Sequence, residues 1–183
     1  MDMIKFLYAG KTTGSQYPFE LVLESFSLSR LSTKQLALSV FSQQSSAKIF
    51  DMKNYSKDWL FVSPYISKSQ LSNEIDATDA LIIILGDQKE TFNMIMPSKF
   101  YELVIKRKPI FVLAPASSEL YSACKKIGWI QVCSDFSAEK ITKSLLEFVT
   151  NYELLKLQAE SGGLSGILSR KQIAHSFDKV LKN

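Results

Sequence analysis

Apolar residues in this chain gather in short continuous runs, separated by stretches with a helical period. IKFLYAG (Ile4–Gly10), QLALSVF (Gln35–Phe41), WLFVS (Trp59–Ser63), ALIIILG (Ala80–Gly86), PIFVLA (Pro109–Ala114) and WIQVC (Trp129–Cys133) read as strands. The fourth and fifth are apolar throughout, without the polar alternation of a half-solvated ribbon, and predict strands covered on both faces. Helices are predicted at Pro18–Leu31, Ser69–Asp76, Ser98–Lys106, Ser118–Ile127 and Ala138–Leu154. Gln43–Asp58 shows no clear period.

Strand and helix in alternation imply an α/β chain: a Rossmann-like, doubly wound parallel sheet of about six strands in three α/β/α layers. After Leu157 comes AESGGLSG, where Gly162, Gly163 and Gly166 mark a hinge. A C-terminal helix is predicted beyond it, with Ser169 as N-cap and Ile173, Phe177, Val180 and Leu181 on its apolar stripe. The chain thus divides into a wound domain, 1–157, and a hinge with its helix, 158–183, that would pack on a partner domain.

Composition narrows the chemistry. Hydrophobic residues reach 46%, with 12 Phe, 7 Tyr and 2 Trp, so a packed core is affordable and disorder is excluded. A net charge of +4 is too mild to suggest nucleic acid. Cys124 and Cys133 lack C-x-x-C spacing, and with His175 as the single histidine no metal site is expected. His175 is also the one base open to Ser-His or Cys-His catalysis, and reads better as a polar-face residue of the last helix. The apolar runs fall far short of the roughly 20 residues that span a bilayer, and no signal peptide precedes the first strand. The expectation is a reduced, cytoplasmic domain. Lys106, Arg107 and Lys108 would offset the negative end of the preceding helix, or touch anionic lipid as a peripheral contact at the inner membrane face.

In a doubly wound sheet a ligand is expected beyond the carboxyl ends of the strands, where strand order reverses. The loop after the first strand, AGKTTG, resembles the tail of a Walker A motif, but Lys5 stands where that motif needs glycine, and G-x-G-x-x-G is missing too. An ATPase and a nicotinamide cofactor are therefore set aside. MPSKFYELVIKRKPIFVLAP is more informative. Pro97 fits a first helical position, leaving the amides of Ser98 and Lys99 free at a positive helix end able to hold a diphosphate. Ser98, Lys99 and Glu102 share one helix face, and Phe100, Leu103 and Val104 the core face. Glu102 could accept two hydrogen bonds from a vicinal diol such as ribose. The same spacing equally describes a plain helix start whose glutamate offsets the macrodipole.

Pro97, Lys99, Glu102, Lys108 and Pro109 form a P-x-K-x-x-E helix start followed by a Lys-Pro strand. This resembles the nucleotide-sugar motif of GT-B glycosyltransferases of the retaining family 4 type, in their C-terminal, donor-binding domain. Tyr8–Gly10, Tyr65–Leu71 and Asp76–Leu85 are similar to further steps of that domain, as is a last helix that crosses to the partner domain. The resemblance implies that Glu102 binds ribose hydroxyls, Ser98 and Lys99 line the diphosphate at the Pro97 helix start, and Tyr65 and Ile66 cover the base. Lys11, after Gly10, takes the place of a phosphate-neutralising basic residue.

It further implies a nucleoside diphosphate sugar, a UDP-sugar first, as substrate. No metal or other cofactor is implied. The acceptor hydroxyl would be held by a missing N-terminal domain or partner subunit, so the isolated chain would bind donor and transfer nothing. No catalytic residue is assigned. Met94 stands where the family often has a second glutamate, and Gln16 and Tyr17 where a second basic residue is usual. These departures sustain an alternative: a non-catalytic, glycosyltransferase-like binding or partner module.

Overall fold

The computed structural model describes residues 3–12, 18–33, 35–42, 58–86 and 96–162. Six strands alternate with helices: β1 (Ile4–Ala9), α1 (Phe19–Ser32), β2 (Leu36–Ser42), β3 (Leu60–Pro64), α2 (Lys68–Ala77), β4 (Ala80–Ile84), α3 (Ser98–Ile105), β5 (Ile110–Leu113), α4 (Glu119–Cys124), β6 (Ile130–Cys133), α5 (Ala138–Thr150) and α6 (Tyr152–Ser161). All strands are parallel, in the order β3-β2-β1-β4-β5-β6. The α/β doubly wound sheet is therefore present, with each strand within a residue or two of its expected limits.

Both faces of the sheet are covered. Ile4, Phe6 and Tyr8 of β1 point into one apolar layer, with Phe19, Val22, Leu23 and Phe26 of α1 and Ile141, Leu145 and Phe148 of α5. Leu7 points into the other, with Ile75 of α2, Phe100 and Val104 of α3, and Leu120 and Cys124 of α4. β4 divides likewise: Ala80, Ile82 and Ile84 lie in the first layer, Leu81 and Ile83 in the second. This two-sided burial is why the fourth and fifth runs carry no polar position. Phe6 sits centrally, its ring 5.2 Å from that of Phe26 and 5.1 Å from that of Phe148.

Besides α4, which ends at Cys124 and not at Ile127, three boundaries differ from expectation. Pro97 is the N-cap of α3, not its first helical residue, because its ψ of 129° is still extended. The long helix expected over Ala138–Leu154 breaks at Asn151, whose φ of −97° and ψ of 7° fall in the bridge region. The break redirects the chain: Tyr152 and Leu155 lie in the first layer, Ala159 in the second beside Trp129. α6 then runs past Leu157 to Ser161, since Ala159, Glu160 and Ser161 continue it and Gly162 stops it with an extended ψ of 129°. A Cβ on Gly162 would overlap the Trp129 ring, so glycine is required there. Gly163, Gly166, Ser169, His175 and the predicted last helix lie outside the described residues.

Candidate functional site

Strand order reverses between β1 and β4, and their carboxyl ends open on a cavity of about 320 Å³. Tyr8, Ala9, Gly10 and Lys11 form one wall, Ile82, Ile83, Ile84 and Leu85 at the end of β4 the floor, and Pro97, Ser98, Lys99 and Leu103 the opposite wall. Tyr65 closes a side. Of the eight residues expected at a donor site, Gly10, Lys11, Tyr65, Pro97, Ser98 and Lys99 are thus brought together from three separate loops. Ile66 is not among the lining residues and packs against the second apolar layer. Glu102, a turn further along α3, is also outside the lining, its side chain 64% exposed and one oxygen 3.9 Å from Lys68 Nζ.

The local sequence sets the character of the α3 start. Ser67, Ser118 and Ser137 each cap their own helix by accepting a backbone N–H, and the α2 cap closes a full capping box with Gln70. Pro97 has no side chain that can do so, and α3 begins without a side-chain cap or an acidic first turn. The Phe100 amide bonds back to the Pro97 carbonyl at 2.9 Å. The first amides of α3 thus stand at the cavity wall, at the positive end of the helix.

Lys99 bridges the crevice. Its ammonium donates to the Ala9 carbonyl at 2.8 Å and lies 5.9 Å from the centre of the Tyr65 ring. Burial lowers its pKa below the ordinary lysine value, against an opposing upward pull from Glu102. On the facing wall the Tyr8 hydroxyl donates to the Lys11 carbonyl at 2.6 Å. Below this loop the buried hydroxyls of Thr12 and Ser42 bond to each other at 3.1 Å, tying the ends of β1 and β2.

Tyr8 and Lys68 carry site geometry that the sequence reading missed. In the sequence Tyr8 is one residue of the first apolar run, and Lys68 stands just before the predicted helix Ser69–Asp76. Two residues of the basic cluster also have partners on another helix that the sequence did not show. Lys106 Nζ lies 2.8 Å from Asp76 Oδ1, and Lys108 Nζ donates to the carbonyls of Asp76 and Thr78. Both cations thus serve the C-terminal end of α2, where they face its last carbonyls and Asp76. Cys124 and Cys133 are free and buried; burial raises both thiol pKa values, that of Cys124 to about 12. Met94, Gln16 and Tyr17 lie outside the described residues. No described helix is long and apolar enough to cross a membrane.

Neither a protein-family model nor a curated protein matches the sequence. Solved structures do match at the level of fold. TarM superposes on 100% of the chain with a TM-score of 0.68 at 11% identity. The C-terminal domain of a glycosyl transferase group 1 family protein (LpcC) from Francisella tularensis covers 87% of it, with a TM-score of 0.63 at 10% identity, and 82% of that domain is matched. The fold is that of a GT-B glycosyltransferase C-terminal domain. The S. aureus MnaA–UDP co-structure is similar over 86% of the chain, with a TM-score of 0.63 at 14% identity. The chain spans only 35% of TarM and 39% of MnaA. At these identities the GT-B likeness establishes architecture, and the reaction must be argued from the crevice.

Proposed function

We propose that this chain is the donor-binding half of a glycosyltransferase, holding a nucleoside diphosphate sugar in the crevice between β1 and β4. One observation carries the reading: Gly10, Lys11, Tyr65, Pro97, Ser98 and Lys99, far apart in sequence, line a single cavity at the switch point. UDP is the preferred nucleotide, a choice supported by the fold shared with the MnaA–UDP co-structure.

In this proposal the diphosphate lies against the uncapped start of α3, between the ammonium groups of Lys11 and Lys99. Tyr65 borders the base, with Ile66 supporting it from the apolar layer, and Glu102 swings from Lys68 to accept the ribose diol. The transfer is of the retaining type and needs no nucleophile, metal or cofactor from this half. Its contribution is to stabilise charge on the departing diphosphate, while an N-terminal domain or partner subunit presents the acceptor hydroxyl. The purified chain binds donor and turns nothing over.

A second reading, a binding module without catalysis, is favoured by Glu102 lying outside the cavity lining and by Met94 in place of a second glutamate. A thermal-shift series with uridine, guanosine and adenosine diphosphates and their sugars separates the two. Stabilisation by a uridine ligand is expected, following the ratio of its concentration to its Kd. No shift with any nucleotide overturns the donor site, and sugar transfer by the chain alone overturns its dependence on a second domain.

A further inference from the structure

The end of β1 determines which backbone groups the crevice offers a ligand. The Gly10 N–H is used by the Phe41 carbonyl at 3.1 Å. The Ala9 carbonyl accepts from Lys99, and the Lys11 carbonyl accepts from the Tyr8 phenol. Both carbonyls are therefore masked by donors from cavity-lining side chains. This matters for an anion, because a carbonyl oxygen is the negative end of a peptide dipole and a bare one beside a diphosphate would repel it.

Tyr8 is held firmly enough to act as such a mask. Its side chain is only 4% exposed, and its ring stacks on Phe19 at 4.9 Å with 27° between the planes. A Cβ on Gly10 would come within 2.6 Å of the phenol oxygen, so the loop can curl over that oxygen only with glycine there. Phenylalanine would fill the same apolar space. The oxygen is what ties the ring to the loop that carries Lys11.

We propose that Tyr8 is a positioning residue of the nucleotide site: its hydroxyl clamps the Lys11 main chain, keeping that carbonyl turned away from a diphosphate and the Lys11 side chain at the cavity wall. The inference rests on the reading of the crevice as a nucleoside diphosphate site. The masked carbonyls make the crevice selective for charge, so removing the clamp penalises phosphate ligands in particular.

Calorimetric titration of the full chain with UDP and with inorganic pyrophosphate tests it. Tyr8→Phe should weaken both ligands about three- to tenfold, the worth of one hydrogen bond. Gly10→Ala, which presses a methyl on the same oxygen, should weaken them in the same sense. The control is Ser25→Ala, which removes hydroxyl bonds to the Leu21 and Ala138 carbonyls remote from the crevice. It should lower the melting temperature and leave both affinities unchanged. Wild-type affinity in Tyr8→Phe or in Gly10→Ala overturns the role of Tyr8 and leaves the nucleotide site standing. A native chain that binds neither UDP nor pyrophosphate overturns both.

Discussion

The ammonium of Lys99 and the carbonyl of Ala9 lie 2.8 Å apart although 90 positions separate them in sequence. The bond joins the start of α3 to the end of β1, across the point where the strand order reverses. Under the proposed function, it gives the Lys99 ammonium a partner that a diphosphate would compete for.

The electrostatics of Lys99 lead to a pH-dependent prediction. Its lowered pKa means that the folded chain penalises the charged form. The penalty is present below the folded pKa and lifts as pH rises through it toward 10.5, where the unfolded chain still binds the proton. Relative to Lys99→Met, the native protein should therefore gain stability in the window just below pH 10.5, read from urea midpoints. A bound diphosphate favours the charged form, so UDP binding in that window should take up a proton. Calorimetry in two buffers of different ionisation enthalpy measures the uptake, and Lys99→Met should abolish it.

Glu102 should matter to the ligand and hardly at all to the fold. Its pairing with Lys68 is long and solvated, so Glu102→Ala should change unfolding free energy by less than about 0.5 kcal/mol. If its carboxylate takes the ribose diol, the same substitution should weaken UDP about tenfold and erase the preference over 2′-deoxy-UDP. Equal stabilisation of native and substituted chains by UDP would remove Glu102 from the site.

Arg107 is the described non-glycine residue with positive φ, at 51°. The left-handed turn follows the end of α3 and separates Lys106 from Lys108, both of which reach α2. Arg107→Gly should relieve the Cβ clash and raise stability by about 0.5–1 kcal/mol, a gain limited by the added freedom of the unfolded chain. Chemical denaturation measures it.

Cys124, with its thiol pushed up to about 12 and its side chain fully buried, should resist alkylation at neutral pH until the chain unfolds. Labelling followed along a urea gradient should coincide with the loss of helical signal. Rapid modification without denaturant would show that the second apolar layer opens locally.

Much of this was legible in the residue pattern, for identifiable reasons. β4 and β5 announce themselves because Ile82, Ile83, Phe111 and Val112 leave no polar face, which a sheet covered on both sides demands. The crevice at the switch point could be anticipated because PSKFYE marks a helix start and strand reversal fixes where that start must point. What stayed hidden depends on tertiary proximity. Lys106 reads as a charge closing its own helix, yet its partner Asp76 is 30 positions away on another. The hydroxyl of Tyr8 gains a role only when the chain curls back over it at Gly10. Asn151 breaks a helix whose apolar period continues, because α6 must turn round the edge of the sheet.

Because β1 and β4 are neighbours, the crevice is walled on one side by residues from the first half of the chain and on the other by residues from the second. A molecule seated there would act as a staple between the halves, and its arrival should slow amide exchange at Lys11 and at Ser98 together. The occupant would then add a tie across the β1–β4 seam to the pairing the sheet already supplies there.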